Sequence, residues 1–581
     1  MTDKSHTPDP KKVLRYGFEI AETGFDPAQI SDWYSSIVNE QIFDNVLTYD
    51  YLARPATLKP NVLVRMPDIS ADGLTYTLEV KPGIYFNDDA AFSGKKRELV
   101  AADIAYSIKR LFDAKTKSPN QYLMATLIVG MDEFAERQNK QNKFDYDTPI
   151  AGFEYVSRYV LKIKLVAPYY NFMYRLASTN CAAIVAREVV EKYGDDIMAH
   201  PVGTGPYKLT TWKRGSRIVL EPNTNFREEY YDANPAPDDA YRQAILAANK
   251  GKRMPMIGKI EISIIEEDQP RWLAFLNGEQ DYIDRVPNDF SNTMFPNGKL
   301  SNYLTKLGLQ IDQAAGMEIT YAYFAMKHPQ IGGYTPERVA LRRAMILGYN
   351  NAEEVSVILK NQGVEARSPI GPGAFGYDPD FRTPASDYSP AQARALLDLY
   401  GYIDRDGDGY REAPDGSKLV IEQGSAPDQR SKKYDELWKK CMDSIGINIQ
   451  FKKAKWPDLL KESKAGKLMS WRLGWGGMYP DGEAFYVMLY GPNSGQANHS
   501  RFDLPAFNDL FVKAKATVPG PERAEMYKQM NRLAAVYAPW KMGAHRVITD
   551  MSYPWVIGHT RHPVFRAAWK YVDIDLGKKV E

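Results

Sequence analysis

The densest group of residues able to do chemistry is Asp404-Arg-Asp-Gly-Asp-Gly-Tyr-Arg-Glu412. Asp404, Asp406 and Asp408 stand at positions 1, 3 and 5 of a calcium loop. Gly409 falls at 6, the Tyr410 carbonyl at 7, Glu412 at 9 and Asp415 at 12. Calcium takes about six to eight oxygens, which this spacing can bring to one point. Asp415 is shorter than the bidentate Glu usual at the last position, and Lys418 to Glu422 reads as a strand rather than an exiting helix. A structural calcium loop and a plain Asp/Gly hairpin both fit. Other groupings carry less. Gly371-Pro-Gly-Ala-Phe-Gly376 matches G-x-G-x-x-G but lacks the preceding strand and following helix, and Pro372 removes an amide that a phosphate would need. His559 and His562 have no carboxylate or cysteine near them in sequence to complete a zinc site. Asp88-Asp89 and Glu266-Glu267-Asp268 read as solvated turns rather than a glycosidase pair. There is no G-x-S-x-G, H-E-x-x-H or phosphate-binding P-loop. The chain reads as a non-enzyme that requires no cofactor.

The remaining distinctive stretch is SWRLGWGGMYPDGEAFYVMLYGP, Ser470 to Pro492. Gly474, Gly476 and Gly477 let another backbone approach. Trp471, Trp475, Tyr479, Phe485 and Tyr486 supply flat apolar surface. The alternatives are a ligand loop and a Trp-rich core turn. Helical spacing over Ser431–Gly446, alternation over Ile447–Lys452, a helix over Trp456–Gly466 and a strand over Lys467–Trp475 make a β-α-β unit with parallel strands. In open α/β sheets ligands sit beyond the carboxyl ends of such strands, and Trp475 to Tyr479 occupy one.

Further strands are expected at Val13–Ile20, Tyr76–Val80, Tyr159–Val166, Tyr207–Thr211, Arg217–Leu220 and Lys259–Ile265. Helices are expected over Ile30–Val46, Val100–Phe112, Arg271–Asn277 and Pro521–Tyr537. Pro336 opens another, and Ser389 with Pro390 caps one more that ends at Gly401. With 581 residues, two to four domains are expected. No repeat or low-complexity linker separates them, so they are interleaved. The balance of 74 basic to 73 acidic residues, net +1, excludes a strong nucleic-acid or membrane field. Two cysteines, Cys181 and Cys441, rule out a disulfide framework but allow one bridge. No apolar run is long enough to span a membrane. The polar N-terminus carries no signal region, so either the protein is cytoplasmic or the chain begins after a removed signal.

Several segments, in order, resemble one family. Tyr76-Thr-Leu-Glu-Val-Lys-Pro-Gly-Ile-Tyr-Phe-Asn-Asp-Asp89 looks like its strand ending in F-x-D-G. Val100 to Arg110 looks like its T-A-x-D-V-x-x-S-x-x-R helix. Val202-Gly-Thr-Gly-Pro-Tyr207, Leu276-Asn-Gly-Glu-Gln-Asp281 and Arg338-Val-Ala-Leu-Arg-Arg-Ala344 match three more of its motifs. The family is that of the peptide and related solute-binding proteins of ABC importers, solute-binding family 5. The resemblance implies an α/β fold of the type II periplasmic-binding-protein kind, with two lobes, a hinge and an extra domain. Residues 11–50, 200–272 and 540–581 would form domain I, 51–199 domain II, and 273–539 domain III, the second lobe. It implies export to the periplasm, a monomer, and as partners a peptide or small-molecule ligand and the permease subunits, with no nucleic acid.

Ser470–Pro492 is similar to the family's G-W-x-x-D-Y-x-(D/E) ligand loop. Gly474, Trp475 and Tyr479 fit, and Asp481 fits the later acidic position; Gly476 and Gly477 lie within it. The acidic residue that pairs with a peptide's α-amino group is here Met478. An ammonium buried without a partner costs several kcal/mol. Either Asp481, Glu19 or Glu22 replaces that acid, or the ligand is no ordinary free-amine peptide. Arg472 is placed to meet a carboxylate bidentately. Trp33 and Tyr34 join the expected ligand site. The expected function is capture of an oligopeptide-like or modified small solute. A same-fold receptor for an opine, sugar acid or oligosaccharide is the alternative, favoured by Met478, Trp33, Trp471 and Trp475; a cytoplasmic hydrolase is the third reading.

Overall fold

A computed structural model describes residues 7–296, 300–383 and 387–579. Four main sheets organise the mixed α/β chain. The first has the order Val13–Phe18, Lys259–Ile264, Arg217–Pro222, Tyr207–Lys213. Leu14, Tyr16 and Phe18 alternate into its core with Ile260 and Ile262. Val13–Phe18 runs parallel to Lys259–Ile264, so both strands end on the same edge. The Val202–Tyr207 motif closes against the helix Trp33–Ile42. A Cβ on Gly203 or Gly205 would sit 2.0 or 2.7 Å from the Ile42 carbonyl oxygen, so only glycine fits there. That helix starts later than Ile30, because the Asp32 carboxylate accepts from Ser35 N at 2.8 Å and caps it.

An antiparallel sheet of Asp68–Ile69, Thr75–Glu79, Val160–Lys164 and Phe153–Tyr155 forms an extension of this lobe. Its core takes Tyr76, Leu78, Leu161 and Ile163 and the helix Ala101–Arg110. Part of the stretch expected in the second lobe from residue 273 packs with the first: Phe275, Tyr282, Ile283 and Leu309 are buried in the first-sheet core.

The second lobe is built on the order Asn448–Lys453, Val420–Ser425, Ser470–Gly476, Glu318–Phe324, Trp540–Met542. Asn448–Lys453 and Ser470–Gly476 are parallel, as expected, but not neighbours: Val420–Ser425 lies between and pairs in parallel with both. Along Glu318–Phe324, Ile319, Tyr321 and Tyr323 enter one core while Ala322 and Phe324 enter another. A central strand covered on both faces reads as a continuous buried run.

The chain passes between the lobes twice, at 310–318 and at 542–552. The two passages pair with each other: Gln310–Ala315 lies antiparallel to Val547–Ser552. Two side-by-side strands between otherwise separate cores are the ingredients of a hinge. Cys181 and Cys441 are both free and buried. Among the described residues no helix is long and apolar enough to cross a membrane.

Candidate functional site

Both lobes aim the carboxyl ends of their parallel strands at one cavity of about 350 Å³. From the first lobe come Glu19 and Ile20, which follow Val13–Phe18, and Glu266 to Asp268, which follow Lys259–Ile264. From the second come Ala426 to Asp428 with Arg430 and Tyr434, Lys455 and Trp456, and Arg472 to Gly476, at or just beyond the ends of its three parallel strands. A strand's exit frees backbone and side chains there, which is why ligands collect at such edges.

Trp33 stands at the centre. The Arg285 and Arg566 guanidinium groups both lie over its ring, 5.0 and 5.2 Å from the centroid. A Cβ on Gly476 would meet Trp33 Cζ3 at 2.7 Å. Gly477 is equally confined, with Phe485 Cζ at 2.9 Å and Met317 Cε at 3.0 Å from such an atom. Trp475 lines the cavity and donates its indole N–H to the Ala484 carbonyl at 2.9 Å, which holds the loop against its strand. Arg472 lies 3.4 Å from the Tyr434 ring centroid and donates to Glu354 at 3.2 Å. Burial alone would depress its pKa, but Tyr434 and Glu354 keep it charged.

Glu19 accepts from Tyr34 Oη at 2.8 Å, from Arg271 at 3.0 Å and, across the cleft, from Arg430 at 2.9 Å. Burial pushes this carboxyl up, and Arg430 and Arg271 more than offset it, leaving its pKa far below the usual range. Tyr34 therefore positions Glu19. Other contacts crossing between the lobes include Arg285 to Glu318 at 2.8 Å, Lys433 to Asp289, and Lys464 Nζ to Ser31 Oγ at 2.6 Å. Glu318 also pairs with Arg546. Burial raises its carboxyl and the two arginines outweigh that, lowering it to about 2. Arg285 itself has φ 51°, an unusual left-handed conformation for a non-glycine, held here by its ion pair and by Trp33.

Several expected residues lie elsewhere. Glu22 accepts from Trp212 Nε1 at 2.7 Å and Gly215 N at 2.9 Å inside the first lobe. Asp481 is buried and bonded to Arg523 at 3.0 Å and Tyr527 at 2.6 Å; burial outweighs Arg523 and raises its pKa. Tyr479 is fully buried, stacked on Tyr174 at 5.6 Å and under Arg175 at 4.8 Å. Trp471 points into the second-lobe core beside Trp456 and His499. Met478 borders a smaller adjoining chamber rather than the main cleft. Glu483, absent from the sequence reading, joins the lobes by accepting from Tyr169 at 2.6 Å, Asn171 at 2.7 Å and Arg175 at 3.0 Å. Arg285, Arg430, Glu318 and Arg546 were also missed. No local pattern marks them, since each takes its partner from far along the chain.

Asp404, Asp406, Asp408 and Glu412 bring one oxygen each within 4.8 Å of one another on the surface. Gly407 and Gly409, with φ 78° and 89°, allow the loop to wrap, and their amides bond Asp404. Tyr410 follows in the loop with its amide on Asp408 Oδ1 at 2.8 Å. Asp415 stands outside the group and caps Ser417 instead, at 2.9 Å. His559 lies 3.7 Å from Asp550, and the described residues around His559 and His562 form no metal group.

The family model described as bacterial extracellular solute-binding proteins, family 5, matches residues 57–497. Di/tripeptide-binding protein 2 of Pseudomonas aeruginosa is 24% identical over 571 residues, covering 97% of this chain and 95% of the relative. Heme-binding protein A of Haemophilus influenzae is 23% identical, covering 96% and 91%. Among solved structures, the periplasmic binding protein DppA of Helicobacter pylori, in complex with peptide STSA, superposes with TM-score 0.77 at 20% identity, covering 98% of each chain. AppA of Bacillus subtilis, with a nonapeptide, gives 0.78 at 16%, covering 98% of this chain and 100% of that one. At these identities the superpositions establish a shared fold.

Proposed function

The chain belongs to the bacterial extracellular solute-binding proteins of family 5, and from that premise we propose that it is the periplasmic receptor of an ABC importer. It captures an oligopeptide-like or modified small solute between its lobes and hands it, chemically unchanged, to the permease, acting as a monomer. The observation that carries this reading is the cavity where both lobes converge by their strand ends, with Trp33 against Gly476 and Arg430 bridging to Glu19. The relatives' names, di/tripeptide-binding and oligopeptide-binding among them, support a peptide-like solute.

The solute's end near Met478 carries no ammonium. Three carboxylates were candidates for that partner, and each is engaged: Glu19 with Arg271 and Arg430, Glu22 with Trp212, Asp481 with Arg523. Taking Glu19 or Asp481 for a ligand would strand a buried arginine at a cost of several kcal/mol, and taking Glu22 would leave the Trp212 indole N–H and the Gly215 amide unpaired. A calcium ion at Asp404, Asp406, Asp408 and Glu412, with the Tyr410 carbonyl, would brace the surface loop and take no part in capture.

Native mass spectrometry of the purified full chain tests the reading. A solute should be retained through purification, leave on denaturation with its mass intact, and rebind saturably with a change in tryptophan fluorescence. Conversion of that solute by the protein, or no retained or rebinding solute, would refute the receptor function.

A further inference from the structure

The second-lobe sheet ends on Asn448–Lys453, and among the described residues no strand pairs with the outer side of that strand. A free edge offers its backbone N–H and C=O groups to any extended neighbour, and proteins usually blunt it with a bulge, a proline or an unmatched charge. This edge has none of these. Its register against Val420–Ser425 runs unbroken through the whole strand. Its two lysines are already matched, Lys452 with Glu462 at 2.7 Å and Lys453 with Asp435.

The helix Gln429–Asp443 lies alongside. A groove of about 860 Å³ runs between helix and strand, lined by Ile449 and Phe451 from the strand and by Lys432, Glu436, Lys439 and Asp443 from the helix. These four recur every three or four positions, so they form one stripe, with charges alternating plus, minus, plus, minus. The stripe spans about 16 Å and the strand about 20 Å, so the two match in length. The stripe's charges are held only on the surface: Lys432 lies 4.0 Å from Glu436, with side chains 63% and 66% exposed, and Lys439 pairs with Asp443, braced by Tyr410. Exposed pairs of this kind stabilise little and can exchange partners at little loss. Arg430, Lys433 and Tyr434 look into the cleft from the other side of the same helix, so the stripe takes no part in capture.

An alternating stripe of four charges is complementary to itself when reversed. About a two-fold axis, Lys432 meets the partner's Asp443 and Glu436 meets the partner's Lys439, each pair occurring twice. The strand fits the same symmetry. Opposed residues of antiparallel strands share a face, so an axis through Gln450 sets Ile449 against the partner's Phe451 and Asn448 against the partner's Lys452. A second copy therefore supplies the complement of both elements at once.

We propose that this edge is an interface between two copies of the chain, joined antiparallel through Asn448–Lys453 into one continuous sheet, with the two Gln429–Asp443 helices side by side across the axis. The single chain remains the unit that captures solute. The pairing is a reversible association of two such units and goes beyond the capture reading.

Sedimentation velocity of the full chain, from micromolar to near-millimolar concentration, tests this. The wild type should shift toward a dimer as concentration rises, and added salt should weaken the association. Glu436→Lys alone sets lysine against lysine across the axis, and Lys439→Glu alone sets glutamate against glutamate. Each should raise the dimer Kd about ten-fold or more. An equimolar mixture of the two variants restores both opposite-charge pairs and should dimerise like the wild type. Damage to one chain's helix cannot be repaired by mixing, so recovery identifies a charge contact between chains. The proposal is overturned by a wild type that stays a single chain throughout, by single variants that dimerise undiminished, or by a mixture no better than its components. Solute retention is measured separately on the same samples, so a failure of the interface would spare the receptor reading.

Discussion

Trp33 of the first lobe and Gly476 of the second meet so closely that a single methyl on Gly476 would stand 2.7 Å from the indole ring. The ring cannot swing aside cheaply, because the Arg285 and Arg566 guanidinium groups lie over it at 5.0 and 5.2 Å. The contact therefore exists only while the lobes are shut. Gly476→Val should prop the cleft open and weaken solute retention at least ten-fold, about 1.4 kcal/mol, with little change in melting temperature of the solute-free chain. Equal retention by variant and wild type would mean that Trp33 is not a closure contact.

Met478 borders the smaller chamber between the lobes, and the family resemblance aligns it with an acid that pairs with a ligand ammonium. Met478→Asp should raise affinity for free-amine peptides while leaving N-acetylated ones unimproved, measured by calorimetry on matched pairs. If blocked and free peptides respond alike, the loop does not read the solute's amino end.

Glu318 ties the exit of one inter-lobe strand to Arg285 and Arg546. Its carboxyl falls from an ordinary 4.5 to about 2 in the folded protein. A carboxyl with a depressed native pKa contributes stability that is complete above its unfolded value and is lost as the pH drops toward the native value. Stability should thus decline between about pH 4.5 and 2, and Glu318→Gln should flatten that part of a melting-temperature profile while lowering stability at pH 7. An unchanged acid limb in the variant would show that Glu318 does not carry it.

The Asp404–Glu412 loop offers a calcium readout apart from binding. Calcium should raise the melting temperature of the wild type, by linkage, and a chelator should reverse it. Asp404→Asn/Asp406→Asn should abolish the calcium effect without altering solute retention. Identical melting with calcium and with chelator would leave the loop as a plain surface hairpin.

Much of the architecture was legible in sequence because its causes are local. Alternation marks Val13–Phe18 and Tyr76–Glu79, since each buries one face. Gly203 and Gly205 announce a backbone approach that no side chain permits. The β-α-β spacing placed Trp475 and Gly476 at a strand's carboxyl end, and the ordered motifs pointed to the family. The intervening strand Val420–Ser425 was missed as a neighbour, because strand order within a sheet depends on contacts that spacing along the chain does not encode.

The side-chain partners were settled only by folding in three dimensions. Glu19, Glu22 and Asp481 are the same kind of residue in sequence, yet one reaches across the cleft to Arg430, one serves Trp212, and one is sealed in with Arg523. Sequence fixes what charge a residue carries and which way a strand points it. Which opposite charge lies within 3 Å, and whether a lobe boundary runs between them, depends on how residues hundreds of positions apart are brought together, and that is decided by the packing of the cores and the closure of the hinge.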